Sequence, residues 1–283
     1  DSNNLPQIAY MSEKYDDLKY ARRSSTSDSW QIFDVDQNNN VGSYASLALQ
    51  EMGNNVYPHI SYLDFTSYDL KYAYMGTDMQ WKKQAIDTQG VVGLYSSIAR
   101  GADGKVWISY YDQTNGNLKY ALISGSSTTV KKIFEDGNVG FYTSIAIDKS
   151  TNKPGIVFGD FTNSSLNYTY LTADNKWIAS VNIFGNTIPS QVGLNTSLAI
   201  NGFGEPAISY RDAGTGALKF ARYFSPIWDV EFVNPGISDG QHSSTAWIDD
   251  YRPAIAFYDQ ILGDLVYARW NLVSQSWLFE RVD

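Results

Sequence analysis

An all-β fold made of six copies of one four-stranded unit is what this sequence predicts, and three observations carry it. A Leu-Lys-Tyr-Ala segment returns through the whole chain at intervals of 47 to 52 residues. Each copy occupies the same place in a longer frame of short apolar runs separated by Gly, Asn, Asp and Ser, the residues of tight hairpins. Aromatic residues make up 15% of the 283, with 21 Tyr and 8 Trp, a bias toward short strands rather than helices. Four antiparallel strands per repeat, six times over, is the arithmetic of a six-bladed β-propeller.

The strands can be taken in turn. Strand C is Leu18-Lys19-Tyr20-Ala21, then Leu70-Lys71-Tyr72-Ala73, Leu118-Lys119-Tyr120-Ala121, Leu166-Asn167-Tyr168-Thr169, Leu218-Lys219-Phe220-Ala221 and Leu265-Val266-Tyr267-Ala268. Strand B precedes it, beginning Ile8, Ile60, Ile108, Ile156, Ile208 and Ile255, and ends on Asp64, Asp112, Asp160, Asp212 and Asp259, with Ser12 in the first copy. Strand D carries Trp30, Trp81, Trp177, Trp228 or Trp277, and the third copy has Thr129 in that region. Strand A is Gly42-Ser43-Tyr44-Ala45-Ser46-Leu47-Ala48 in the second copy, with counterparts starting at Gly93, Gly140, Gly193 and Gly240. Strands A to C are apolar on both faces, as expected of a sheet sandwiched between two others. The implied repeats are 1–40, 41–91, 92–138, 139–191, 192–239 and 240–283, forming one domain.

The first copy lacks strand A. Asp1-Ser2-Asn3-Asn4 already has the composition of the A–B turn, and Asp283 follows a D strand. Either one blade has three strands, or its innermost strand belongs to sequence outside these residues.

A net charge of −9 argues against nucleic acid or an anionic membrane surface as partner, and basic residues such as Arg22-Arg23 and Lys82-Lys83 go no further than adjacent pairs. No apolar run approaches the ~20 residues of a membrane span. Without cysteine there is no disulfide framework or thiol chemistry. Sequons at Asn163, Asn167 and Asn195 are as many as chance supplies in a chain this rich in Asn, Ser and Thr.

Function in a propeller concentrates where the D–A and B–C loops gather, and two columns of the repeat end there. The first is the start of strand A: Tyr44, Tyr95, Tyr142, Asn195 and His242. It departs from uniformity, and Tyr and His offer a flat apolar body with a polar tip suited to a sugar ring or to plugging a channel. The second is Asp64, Asp112, Asp160, Asp212 and Asp259. These carboxylates suit sugar hydroxyls; equally, they suit capping of the B–C turn or pairing with Lys19, Lys71, Lys119 and Lys219 of strand C. Arg211, beside Asp212, is the one basic residue in its column and suits an anionic group or a local ion pair.

The remaining columns read as scaffold. Ser46, Ser97, Ser144, Ser197 and Ser244 have no histidine at a repeat-consistent distance, so a hydroxyl bonded between blades is expected rather than a nucleophile. The strand-D tryptophans read as core between blades. Trp107 and Trp247 lie outside that column and are single-site candidates. His59 and His242 would have to converge from different blades to bind zinc, so no metal site is expected. Asp34-Val35-Asp36-Gln37-Asn38-Asn39-Asn40 alternates oxygens like a calcium loop but lacks its Gly and Glu. No cofactor is expected beyond that faint calcium signal.

The unit Tyr-x-Ser-Leu-Ala, Ile-Ser-Tyr-x-Asp, Leu-Lys-Tyr-Ala resembles repeats of extracellular propeller proteins, along the whole chain. In broad design it is similar to six-bladed fungal fucose lectins, whose sites lie between blades. No repeating Arg, Glu and Trp trio of that kind is found, and the sialidase Asp-box is absent. The resemblance implies a secreted or cell-surface recognition module for glycan or protein, at the funnel face or between blades. Two alternatives stand beside it. One is a polysaccharide hydrolase or lyase using Tyr142, His242, Arg211 and Asp212, although no catalytic constellation is assigned. The other is a surface-layer or filament protein that assembles through its open blade edge.

Overall fold

The structure is a computed structural model and describes residues 1, 5–24, 29–183, 192–225, 227–233 and 241–282. Gly240 and the Ser2–Asn4 segment lie outside the described residues. Six antiparallel sheets follow one another along the chain, each a simple meander, and together they are the blades of a six-bladed β-propeller. The first has three strands, Gln7–Ser12, Asp17–Arg23 and Trp30–Asp36, which are B, C and D. Among the described residues it has no strand A, in agreement with the sequence.

The other five have four. Blade 2 is Val41–Met52, Asn55–Asp64, Asp69–Met75 and Trp81–Asp87; blade 3 is Val92–Arg100, Val106–Asp112, Asn117–Ser124 and Ser127–Phe134. Blade 4 is Val139–Asp148, Lys153–Asp160, Ser165–Tyr170 and the short Val181–Asn182; blade 5 is Val192–Ile200, Pro206–Asp212, Leu218–Phe224 and Ile227–Phe232. Blade 6 is Gln241–Trp247, Pro253–Asp259, Asp264–Asn271 and Ser276–Arg281. The chain divides into two compact units, residues 1–100 with 104–134 and residues 101–103 with 135–283.

Within each unit, neighbouring blades cover one another by a fixed rule. Strand C turns its Leu and Tyr toward the following blade, and strand B turns its Ile and aromatic back toward the preceding one. In the first unit Leu18, Tyr20 and Val35 of blade 1 pack on Val41, Ile60, Tyr62 and Ala73 of blade 2, all buried. In the second, Leu218 and Phe220 of blade 5 pack on Ile255, Phe257 and Ala268 of blade 6. Each such Ile or Leu contributes roughly 1.5–3 kcal/mol by leaving water. The strand-D tryptophans finish these layers edge-on, Trp81 on Tyr20 at 5.6 Å, Trp228 on Tyr168 at 5.5 Å and Trp277 on Phe220 at 5.1 Å. Trp30, in the three-stranded blade, is 44% exposed instead.

Strands A are stitched together by the serine column. Ser46 Oγ accepts the Ile98 N–H of the next blade at 3.2 Å, Ser144 that of Leu198 at 3.1 Å and Ser197 that of Thr245 at 2.9 Å. The expected hydroxyl between blades is therefore what these serines provide.

A polar lock joins the blades of the first unit. The Asp36 carboxylate at the end of strand D in blade 1 is fully buried. It accepts from Tyr62 Oη at 2.8 Å, Lys71 Nζ at 2.7 Å and Lys83 Nζ at 2.9 Å, all in blade 2. Asp87 of blade 2 holds Tyr110, at 2.7 Å, and Lys119 of blade 3 in the same way. Burial works against charge on Asp36, but the two ammonium groups and the phenol outweigh it and hold its pKa below the ordinary carboxylate value. Asp87 is shifted in the same direction, with Lys119 and Tyr110 overcoming burial. Asp36 thus belongs to an interblade lock, not to an open cation loop.

Asp36→Ala would leave two ammonium groups and a phenol without their acceptor. It is expected to cost about 3 kcal/mol in urea unfolding, the low end for a broken buried pair because Asp64 stands near Lys71. The exposed Asp174–Lys176 pair is the control, and Asp174→Ala should cost under about 0.5 kcal/mol. A carboxylate with a depressed folded pKa contributes above its unfolded value near ~4 and is lost as pH falls through the folded one. The difference between Asp36→Ala and the parent should therefore shrink on acidification below about pH 4.

Candidate functional site

The two predicted columns behave differently. At the start of strand A in blades 2 to 5 the chain makes a double bulge. Register runs Val92↔Asp112, Leu94↔Tyr111, then Ser97↔Ser109, so residues are left unpaired on the inner strand. Two left-handed residues make the bulge. The first is Gly93, at φ 91°, where a Cβ would meet the Leu70 Cα of the preceding blade at 2.8 Å. The second is the predicted column itself: Tyr44 at φ 54°, Tyr95 at 56°, Tyr142 at 49°, Asn195 at 52° and His242 at 55°. Asn and His tolerate that region; for Tyr it is uncommon and is held in place by its surroundings.

Those surroundings are hydroxyls of the next blade. Ser96 Oγ donates to the Tyr44 carbonyl at 3.0 Å, Thr196 to that of Tyr142, and Ser243 to that of Asn195 at 3.3 Å. In the first unit the structure brings Tyr44 and Tyr95 together, their rings 4.9 Å apart and edge-on, with Tyr111 6.4 Å from Tyr95. Tyr44 and His242 are exposed; Tyr95, Tyr142 and Asn195 are partly so.

The aspartates serve their own blades. Each is nearly buried and caps its own B–C turn. Asp64 accepts the Thr66 N–H at 3.0 Å, Asp112 that of Asn115 at 3.1 Å, Asp160 that of Asn163 at 2.9 Å. Asp212 accepts the Gly214 N–H, and Asp259 those of Ile261 and Leu262, all at 2.9 Å. Asp212 also holds Lys219; despite burial, that ammonium and the turn N–H groups keep its pKa low, which unsuits it as a proton donor near neutral pH. Lys71 and Lys119 reach their own blade's Asp only at 3.6 Å, since the preceding blade's strand-D carboxylate holds them more closely. Arg211 makes no ion pair with Asp212, and its Nε is buried without a hydrogen-bond partner.

Other candidates are absorbed into the scaffold. Trp107 is 6% exposed against Tyr120, and the Trp247 indole bonds the Ala199 carbonyl at 3.4 Å. Asn167 is buried on Ser165, which removes one sequon from the folded surface. Among the described residues no three His, Asp or Glu side chains are placed to hold a metal.

Sequence reasoning named sites between blades but not their residues, which lie at the opposite end of the blades, where A–B and C–D turns lie. There, neighbouring blades part into clefts. Blades 1 and 2 enclose one of about 280 Å³ beside Gln7, Arg22 and Asn55, and blades 2 and 3 one of about 520 Å³ lined by Gln50, His59, Tyr72 and Tyr74. Blades 4 and 5 enclose one of about 430 Å³ lined by Asp148, Lys153, Tyr168, Tyr170, Tyr223 and Trp228. The residue just before the strand-B Ile borders them and varies widely: Gln7, His59, Trp107, Gly155, Ala207, Ala254. That variation was the available signal.

His59 Nδ1 bonds the Tyr72 hydroxyl, its Nε2 faces Gln50 Oε1 at 3.2 Å, and its ring stacks with Tyr72 and Tyr74 at 5.9 and 6.0 Å. Burial, helped by the nearby Arg100 charge, lowers its pKa to about 4. The unfolded chain, with histidine near ~6.5, binds a proton that the folded chain refuses between those values. Stability should therefore rise from pH 4 to 6.5 by on the order of 3 kcal/mol. His59→Gln should flatten that rise in unfolding measured at pH 4.5 and 6.5.

No protein-family model and no curated protein matches the chain. Solved structures do match in fold. The six-bladed Aleuria aurantia fucose lectin shares 17% identity over 84% of this chain and 78% of its own, at a TM-score of 0.55. SapL1 lectin, solved with α-methyl fucoside, shares 13% over 84% and 81%, at 0.56. A Hadza microbial sialidase shares 12% over 96% of this chain and 63% of its own, at 0.63. Identities this low establish the shared six-bladed propeller architecture and nothing finer.

Proposed function

We propose that this chain is a carbohydrate-recognition module that binds glycans in clefts between its blades. One observation carries the reading: a cleft recurs at the same place between blades 1 and 2, 2 and 3, and 4 and 5, edged by polar side chains and, in the latter two, walled by tyrosine or tryptophan rings. Rings beside hydrogen-bonding groups suit a sugar, which is apolar on its C–H face and polar at its edge. The lectins of the same architecture give the reading its class. We place the module outside the cell or at its surface, and a protein surface is the competing partner.

A second reading locates the ligand at the strand-A starts, where Tyr44 and Tyr95 present paired rings held in an uncommon backbone conformation. A glycan array of the purified chain decides between the two. Under the cleft reading, Tyr74→Ala and Tyr170→Ala each weaken the signal several-fold, while Tyr44→Ala, Tyr142→Ala and His242→Ala leave it in place. The reverse pattern moves the site to the strand-A starts. A blank array with a well-folded chain overturns the carbohydrate reading.

A further inference from the structure

We propose that the cleft between blades 4 and 5 is the chain's principal carbohydrate site and takes a neutral pyranose, its C–H face on Tyr170 and Trp228 and one hydroxyl bonded to the Tyr168 hydroxyl above Gly155. The inference rests on the carbohydrate reading and sharpens it.

Equivalent positions differ between the blades. In blade 1 the strand-C tyrosine, Tyr20, gives its hydroxyl to Gln7, the residue before the strand-B Ile. In blade 2 Tyr72 is bonded to His59 in the same way. In blade 4 that residue is Gly155, and a Cβ built there would lie 2.4 Å from the Tyr168 hydroxyl. The phenol thus lies directly over bare backbone. Tyr168 is 7% exposed and lines the cleft, yet its hydroxyl has no hydrogen-bond partner among the described residues. The hydroxyl faces the cleft with its hydrogen-bonding capacity unused by the protein, so a ligand hydroxyl can take it up.

The rest of the cleft sets the ligand's character. Tyr168 stands 5.5 Å from Trp228 and 6.1 Å from Tyr170, and Tyr223 stands 5.4 Å from Trp228, so four rings form adjoining walls. Its charged groups are engaged by the chain itself. The Asp148 carboxylate accepts from the Ser150 N–H and hydroxyl and from the Thr151 hydroxyl, and Lys153 Nζ bonds Asn175 at 2.7 Å. The cleft's lining carries one carboxylate and one ammonium, Asp148 and Lys153, so its net charge is zero and no field of one sign favours an acidic or an amino sugar. A volume near 430 Å³ fits one or two sugar rings.

The test uses the array's neutral and uronate-bearing glycans, followed by calorimetric titration with the strongest neutral binder. Two substitutions address the site. Tyr168→Phe removes only the hydroxyl, at a position where blade 5 carries Phe220, and should leave the melting temperature nearly unchanged. Gly155→His installs what blade 2 has at this place. Each should weaken binding about tenfold, the equivalent of one hydrogen bond. Full affinity in both variants overturns this inference while leaving the carbohydrate reading standing. A preference for uronates overturns the neutral assignment. An array blank for the parent chain overturns both the reading and the inference.

Discussion

A four-stranded sheet of this length has two apolar faces and no layer of its own to cover either. Every strong feature of the chain answers that constraint. Ile60 and Tyr62 are fully buried because blade 1 lies behind them, and Leu70 is fully buried because blade 3 lies ahead. The polar groups obey the same logic. Lys71 alternates with Leu70 and Tyr72 along strand C, so it points back toward blade 1, where only a buried carboxylate can receive it. Asp36 is that carboxylate, and Tyr62 and Lys83 complete its coordination. Blade 5 keeps the lysine, Lys219, which pairs with its own turn aspartate.

This division of labour explains where binding groups are found. Positions that recur in most blades are consumed by the architecture: the aspartates by their turns, Ser46, Ser144 and Ser197 by the neighbouring strand, Trp81, Trp228 and Trp277 by the ring they cover. Chemistry is available where equivalent positions differ. The residue before the strand-B Ile is such a position, running from a bonded Gln7 and His59, through a buried Trp107, to a bare Gly155.

The blade count, the strand order and the three-stranded first blade were legible because hairpin residues and apolar pairs recur in phase. The serine column was legible too, since an invariant hydroxyl without a histidine has little else to do. The lock was not. Asp36 meets Lys71 and Lys83 across 35 and 47 residues, and beside Asn38 to Asn40 it reads as part of a cation loop. The residues lining the clefts were missed for a different reason. Gly155 matters through a side chain that is absent, which is visible only once Tyr168 lies across it. The strand-A starts stand out in the sequence as variable positions in the repeat, but their left-handed backbone is a property of the bulge that no composition reveals.

The central claim is that the Tyr168 cleft receives a sugar. Its most direct test is a crystal structure of the chain soaked with a neutral glycan that binds on the array. Density for a pyranose ring against Tyr170 and Trp228, with a sugar oxygen within hydrogen-bonding distance of Tyr168 Oη, is the result expected. Sugar density confined to the strand-A starts beside Tyr44 and Tyr95, with the Tyr168 cleft holding only water, would contradict it.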